Sequence, residues 1–418
     1  MENLPKYLVL DLNSFFASVE QQLNPKLRGK PVAVLPSLTP YTSVIAASYE
    51  AKKFGIKTNT LAKDAKLMCK DIIFVAANHK NYVEFHHKII EEIDHHIPIQ
   101  NVLSIDEVAC ELQGNERTLE GAEKLTQKIK KGILKNVGEA IKCSVGIAPN
   151  KFLAKIASDM QKPDGFTYID FNNLEEKLLS LKLRDIPGIG RNMEQRLKFD
   201  GIFTMQDLLA LEPKHMRKIW HSVQGEKIWY LLRGHDLPDT ETKKSTIGHS
   251  HVLAPEFREK NRANIVAHRL TLKAVSRLRR IGYYATIMFL SIRTDKNQKL
   301  KTHREFFRAS DNFTFLKILE EMWAELMLKT NRNDKIKKIS VSLFGLVNDD
   351  KIYPDLFEEE KDMKQIKKQE FASKAMDKLN AKFGKDTIVI GFTPNVSSQF
   401  SGTKIAFNRI PEFEEFYE

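Results

Sequence analysis

The sequence predicts an α+β multidomain protein, and three observations carry that expectation. At 418 residues the chain has room for about three domains. Its first 168 residues alternate short apolar, β-branched runs with amphipathic stretches, whereas residues 170 to 235 read as helical throughout. A strongly basic region then returns to alternating helix and strand patterns up to about residue 345. With 42% hydrophobic and 29% charged residues the composition excludes global disorder and collagen-like structure, and the absence of an internal repeat makes the chain an array of distinct globular parts.

The elements follow in order. YLVLDL, PVAVL, IIFVAA, NVLSIDEVACEL and CSVGIA read as strands, and FFASVEQQL, YEAKKFGI, YVEFHHKIIEEIDHHI, GAEKLTQKIKKGILKNV and NKFLAKIASDM as helices. Turn residues at Lys162-Pro163-Asp164-Gly165 end this first part. The helical part holds Pro187-Gly188-Ile189-Gly190 between two short helices, and the polar linker HDLPDTETKK closes it near residue 240. Beyond lie a helix (ANIVAHRLTLKAVSRLRRIG), a strand (ATIMFLSIRTD), a helix (FTFLKILEEMWAELML) and a strand (KIKKISVSLFGL), a pattern for a small sheet with helices on one face. The remainder reads as an appendage, in which KAMDKLNAKFGKDTIVIG has the look of a helix followed by a strand.

Charge and cysteine usage narrow the function. Lys and Arg number 66 against 54 Asp and Glu, and residues 246 to 345 hold 20 of the former and 9 of the latter, so +11 of the net +12 falls there. Such a region suits a polyanion. Three scattered cysteines give neither a disulfide framework nor a zinc spacing and fit a reducing cytoplasm. No stretch is apolar enough to span a bilayer, and no export signal is expected.

Two acidic features carry chemistry. Asp11 ends an apolar strand, where capping the next helix is the bland reading. Asp106 and Glu107 sit side by side within an apolar run, where burial and mutual repulsion are costly unless a cation or a turn to solvent offsets them. On a regular strand such neighbours face opposite ways, so they share a site only if the chain turns there. Three carboxylates beside a basic region and a glycine-rich turn suit two magnesium ions and nucleotidyl transfer. The glycines at 188 and 190 let backbone amides approach a phosphate at a helix N-terminus. Glu84-x-x-His87 and Glu92-x-x-His95 have the spacing of di-iron bundles, but two copies on one helix cannot converge, and they read as a solvated face. A Walker-type reading of Gly146 to Lys151 lacks its second glycine.

The blocks VLDLNSFFASVE, NPKLRGKPVAV, ASYEAKKFG, SIDE, SVGIAPNKFLAKIASDMQKPDG and IPGIG, in that order, resemble those of the Y-family, or translesion, DNA polymerases. The likeness covers about residues 5 to 240 and runs more loosely to about 345. It implies a right-hand polymerase: an α/β palm (1–20 and 78–168), small fingers (21–77), an all-helical helix-hairpin-helix thumb (169–240), an α/β little finger (241–346) that lies on DNA, and a C-terminal extension (347–418). By the same likeness, Asp11 and Asp106 would ligate two Mg2+ ions, Glu107 the catalytic one, and Leu12 would offer its backbone carbonyl. Phe16 falls at the steric gate against a 2′-hydroxyl, although from the residues alone core packing is the favoured reading. Tyr49 and Lys52 match the Tyr-x-x-Arg pair on the β- and γ-phosphates, with Lys in place of the usual Arg, and Lys162 reaches the triphosphate from the palm. Lys155, one helical segment earlier, reads as solvated about as readily.

Gly188, Gly190, Arg277, Arg279, Arg280 and Lys337 are the expected DNA contacts, with further cations at Arg293, Lys296, Lys299, Lys301 and Arg304. The expected partners are primer-template DNA and dNTPs, with sliding-clamp association a family inference only, since no Gln-x-x-Leu-x-Phe peptide ends the chain. A monomeric, cytoplasmic, nucleoid-associated bacterial enzyme of low fidelity is expected, acting in the SOS response and DNA repair. Where the family reads Ala-Tyr-Leu-Asp after its acidic pair, this chain has Val108-Ala109-Cys110-Glu111. That departure and Lys52 motivate an alternative, a catalytically weak DNA-binding accessory protein of the same fold. A nucleotidyl cyclase would have no use for the hairpin or the basic region.

Overall fold

The computed structural model describes residues 4–238, 245–348, 360–384, 387–390 and 410–411, and its residues fall into two compact units that part near residue 240. The first unit begins with β1 (Tyr7–Leu12), six consecutive buried residues, and α1 (Phe15–Leu23). Ser14, at the N-cap of α1, holds a left-handed conformation with φ 52°, so the chain turns sharply just after Asp11.

A small three-stranded sheet comes next, built from β2 (Val32–Leu35), β3 (Ala46–Ala47) and β4 (Ile73–Ala76) in the order β3-β2-β4. The helices α2 (Tyr49–Lys52) and α3 (Ala62–Met68) accompany it, and Val44, Ile56 and Ile72 are among the apolar side chains of its own small core. The helix expected over residues 49 to 56 is therefore a single turn. Gly55, at φ +81°, breaks it.

The chain then returns through α4 (His79–Asp94), β5 (Ile99–Val102), β6 (Glu107–Glu111), α5 (Leu119–Gly132), β7 (Cys143–Ala148), α6 (Lys151–Met160) and β8 (Phe166–Tyr168). Its five strands run β5-β6-β1-β7-β8, so the two strands that bear the acids are neighbours. NVLSIDEVACEL is not one strand. It breaks at Ser104–Asp106, where Leu103 and Ser104 both donate backbone hydrogen bonds to the Glu107 carbonyl and close a hairpin. One large apolar core, including Leu8, Leu10, Tyr82, Ile89, Ile129 and Val145, lies on one side of this sheet.

A second core on the other side joins Val9, Ala109 and Leu153 to the helices α7 (Leu174–Leu179), α8 (Arg191–Phe199), α9 (Met205–Leu209), α10 (Pro213–Trp220) and α11 (Val223–Leu231). This all-helical segment thus grows from the sheet rather than folding apart from it. Asn150 reinforces the join by donating from Nδ2 to the carbonyls of Leu231 and His235, at 2.8 and 3.0 Å.

The second unit contains β9 (Ile247–Val252), α12 (Lys260–Arg280), β10 (Tyr283–Thr294), β11 (Lys299–Ala309), α13 (Asn312–Leu328), β12 (Ile336–Phe344), the short β13 (Val347–Asn348) and α14 (Glu360–Phe383). Its main antiparallel sheet runs β11-β10-β12-β9. β9 and β11 escape the sequence reading because β9 (IGHSHV) is mostly small and polar residues and β11 carries charged residues along its open face. The apolar side chains of α12 and α13 cover the inner face, packing Val266, Leu278, Phe315 and Met322 against Met288, Leu290 and Val341. The expected strand after α14 is not seen at residues 387–390, which form bends, and most of the last block lies outside the described residues.

Candidate active site and nucleic-acid interface

Register places the acids. In the antiparallel β1–β6 ladder Asp11 stands directly opposite Glu107, a pairing that holds side chains about 5 Å apart at Cβ. Leu12 donates its backbone N–H to the Asp106 carbonyl at 2.8 Å, so Asp106 follows the same strand end. The turn at Ser104–Asp106 is the chain reversal that neighbouring acids need to serve one site. Ser104 Oγ donates to Asp106 Oδ1 at 2.6 Å.

Two lysines, one on α6 and one in the turn that follows it, meet these acids on the face of the sheet that α6 covers. Lys155 on α6 pairs its ammonium with Asp11 Oδ2, with Glu107 at 2.7 Å and with Asp159 at 3.1 Å. Lys162 reaches Asp11 Oδ1 at 2.6 Å and Asp159 at 2.7 Å. Both belong to the charge cluster, and the solvated reading of Lys155 is corrected. Asp159, which sequence reasoning missed, joins the two lysines, and its i, i+4 spacing from Lys155 was the available signal.

The electrostatics follow from burial. Asp11 is 4% exposed, and burial alone would raise its pKa, but the ammoniums of Lys155 and Lys162 outweigh that and hold it below the ordinary carboxylate range. Asp106 is raised, chiefly by burial and further by the charge of Asp11, against the opposing hydrogen bond from Ser104. Glu107 is also raised by burial, only partly relieved by Lys155. Burial would lower Lys155, but the charges of Asp11, Glu107 and Asp159 raise it. The acids therefore require a cation, and the lysines supply it in this structure.

Two positioning contacts were not expected. Asn13 donates to Ser144 Oγ at 3.1 Å and accepts from the Asp164 backbone N–H at 2.7 Å, which anchors the turn carrying Lys162. His86 is buried beneath the acidic turn, with Nδ1 2.8 Å from the Ile105 carbonyl, and burial lowers its pKa to about 4. The solvated-face reading of α4 thus fails for His86 and for Glu92, which is buried and bound to His96 and Asn136 at 2.9 and 2.7 Å. It holds for His87 and His95, which are exposed. His86 shares the stripe of Tyr82, Val83, Ile89 and Ile93, the pattern that marks a core-facing histidine.

Tyr49 and Lys52 lie together on α2, the Lys52 ammonium 4.2 Å from the Tyr49 ring centre. Both sense the site: the Tyr49 phenol is pushed up to about 12 by burial and then by Asp11 and Asp159, and Lys52 is lowered by burial and by Lys162. Phe16, half-buried on α1, stacks on Tyr82 at 4.3 Å and 11° between planes, and Tyr82 donates to Glu20 at 2.7 Å. Cys110 is buried and its thiol pushed up to about 12, and Ala109 lies in the second core, so the unusual residues after Glu107 are absorbed by packing.

As the side chains stand, among the described residues no three acids close on one point as metal ligands do. Lys155 occupies the space between Asp11 and Glu107, and Asp106 is turned to Ser104. The donors nevertheless fit a hard divalent cation, being carboxylate oxygens on adjoining strand ends beside the Leu12 carbonyl. A cation held by both Asp11 and Glu107 would compete with the Lys155 ammonium for the same carboxylates.

At the helical hairpin, Gly188 has φ +90° with nothing within 4 Å of where a Cβ would stand, and Gly190 caps α8 with extended backbone. In the second unit the expected Arg279 contact is corrected. Its side chain is 4% exposed and spends its donors on Asp377 (2.7 and 2.8 Å), the Ser310 carbonyl (2.7 Å) and Asn312 (3.0 Å). Arg277 and Arg280 lie in the last turn of α12, on the helical side, and Lys337 Nζ stands 3.4 Å from Asn297. The open face of the sheet is more telling. Lys299, Arg293 and Lys338 lie directly opposite one another across three strands, with Lys301 opposite Ser291 on the same face. Like charges so placed repel unless an anion lies over them.

Three family models match in order: the impB/mucB/samB family over residues 10–159, a DNA polymerase-iota thumb domain over 184–236, and the impB/mucB/samB C-terminal domain over 244–356. The chain is 30% identical to DNA polymerase IV of Pelotomaculum thermopropionicum over 405 residues, 93% of this chain and 95% of that one. It is 31% identical to DNA polymerase IV of Moorella thermoacetica over 393 residues, 91% of this chain and 94% of that one. Among solved structures, a Y-family DNA polymerase chimera superimposes with a TM-score of 0.69 at 25% identity, covering 82% of this chain and 99% of its own. An insertion ternary complex of Dbh DNA polymerase gives 0.54 at 27%, with the same coverage.

Proposed function

Because the chain belongs to the impB/mucB/samB family and is a Y-family DNA-directed DNA polymerase, we propose that Asp11, Asp106 and Glu107 form its two-metal centre for adding dNTPs to a primer 3′-hydroxyl. Enzymes of this family are metal-dependent nucleotidyltransferases. Asp11, Asp106 and the Leu12 carbonyl would hold Mg2+ jointly, with Glu107 on the catalytic ion. Two ions bound there supply activation of the 3′-hydroxyl and neutralisation of charge on the leaving pyrophosphate. The observation that carries this reading is the opposition of Asp11 and Glu107 in one ladder, with Asp106 on the adjoining turn.

The chain's own groups divide the remaining work. Lys162 pivots between Asp11 and the triphosphate, Tyr49 stays protonated and donates to it, and Lys52 offers a point charge. Lys155 neutralises the acids until metal arrives. Phe16, braced by Tyr82, bars a 2′-hydroxyl. The four-part hand, with palm, fingers, thumb and little finger as bounded above, holds primer-template DNA through the amides near Gly188 and Gly190 and through the cationic face of Lys299, Arg293 and Lys338. The small size of the fingers supports low fidelity and bypass of damaged template bases, in a soluble cytoplasmic monomer. Among the described residues no helix is long and apolar enough to cross a membrane.

The test is primer extension with Mg2+ and dNTPs. Wild type extends the primer, and Asp106→Ala abolishes extension while DNA binding is retained. A wild type that never extends overturns the enzyme reading in favour of the accessory one. The packing of Val108–Cys110 into the cores removes the main motive for that alternative.

A further inference from the structure

The outer face of α14 carries a feature that the catalytic reading leaves unused. At 100° per residue, Lys364, Lys367, Lys368, Lys374, Lys378 and Lys382 fall within about one third of the helix circumference, with Phe371 in their midst. All seven are exposed, and Phe371 is 76% exposed. The stripe is about 27 Å long at 1.5 Å per residue.

The opposite face is fixed. Asp377 takes the bidentate pair from Arg279, and Ser373 Oγ, fully buried, accepts from the Asn312 backbone N–H at 3.0 Å. The helix is thereby held in one rotational setting that turns every one of these lysines outward. Among the described residues none of the six stands in an ion pair, and Lys364–Lys368, Lys374–Lys378 and Lys378–Lys382 are like-charged i, i+4 pairs that weaken a helix. A straight row of unneutralised cations around one exposed ring is the combination that grips unpaired nucleic acid: charge follows the backbone, and the ring stacks a base. Duplex DNA offers no base face to Phe371, and an acidic protein surface has no particular need of it.

We propose that this face of α14 binds single-stranded DNA, holding template outside the duplex grip of the polymerase, a role that rests on the polymerase reading above. The experiment uses the full chain with labelled primer-templates bearing a long or a short single-stranded template overhang. Two variants are compared: Lys367→Gln/Lys374→Gln/Lys378→Gln together, and Phe371→Ala. For the long overhang, the triple variant is expected to bind about tenfold more weakly, with a salt slope smaller by about 2, since each phosphate contact contributes roughly 0.7 on single strands. Phe371→Ala is also expected to bind about tenfold more weakly, with the slope unchanged.

Binding and extension of the short-overhang substrate stay at wild-type level, and the matching triple Lys→Arg variant restores the long-overhang affinity. Equal long-overhang affinity in all variants overturns the proposal. So does a loss that follows duplex length with Phe371→Ala neutral, failure of the arginine variant to restore binding, or a loss seen only toward an acidic protein. Failure of every protein, wild type included, to extend a primer instead overturns the polymerase reading, while the overhang comparison still decides this one.

Discussion

Removing the Lys155 ammonium should make the protein depend on metal for its stability. Lys155 is one-fifth exposed at its side chain and Asp11 about one-twentieth, so the pair is largely desolvated. Deleting one partner of such a pair costs about 3–5 kcal/mol because the other charge is left buried, and the residual Lys162–Asp11 contact puts Lys155→Met at the lower end, about 3 kcal/mol. At roughly 2–4 °C per kcal/mol for a unit of this size, the melting temperature of the first unit in EDTA should fall by about 6–12 °C. Millimolar Mg2+ should return most of that loss in the variant and add much less to wild type, because the ion replaces the missing ammonium. The assay is scanning calorimetry of both proteins with and without Mg2+. The pH dependence has a definite sign: the folded pKa of Asp11 is depressed, so its contribution is present above the unfolded carboxylate pKa and fades as pH falls through the folded value. The deficit of the variant should therefore shrink in acid. A deficit equal with and without Mg2+, or below about 1 kcal/mol, would refute the exchange of lysine for metal.

Other expectations concern the reaction and its supports. Asp106 and Glu107 titrate above the ordinary range, so the apparent Mg2+ affinity should weaken on acidification at a higher pH than isolated carboxylates would require, read from Mg2+ titrations of extension rate at several pH values. His86→Phe removes the support under the Ile105 carbonyl and should cut kcat by about 10- to 100-fold with dNTP KM little changed. Phe16→Ala should raise ribonucleotide incorporation about 10- to 100-fold relative to deoxynucleotide, measured by single-nucleotide insertion. Lys52→Arg restores a bidentate fork beside Tyr49 and should lower dNTP KM severalfold, whereas an unchanged KM would remove Lys52 from the triphosphate site.

Much of the catalytic strand was legible because burial is written in composition. The six residues of YLVLDL, apolar on both sides of Asp11, admit only a buried strand, and two acids inside NVLSIDEVACEL signal a cost that something must offset. What stayed hidden depends on contacts distant in sequence. His86 looks like part of a charged helix until the Ile105 carbonyl lies beside it, and Asp159 looks like a surface acid until its near neighbours Lys155 and Lys162 reach Asp11 at the start of the chain. Arg279 shares its charge with its neighbours in RLRRIG, yet only the docking of a helix nearly a hundred residues away shows that it is spent on Asp377. β9 and β11 were missed because a strand with one open face carries half the apolar signal, and the same open face collects the cations that the helix arginines were expected to provide.

The most direct measurement is anomalous diffraction from crystals of the protein grown with primer-template, a non-hydrolysable dNTP and Mn2+. Two peaks about 4 Å apart, both contacting Asp11 and Asp106, one contacting Glu107, with Lys155 displaced from between Asp11 and Glu107, are the expected result. A single peak, or manganese bound away from those carboxylates while Lys155 keeps its place, would contradict the two-metal assignment.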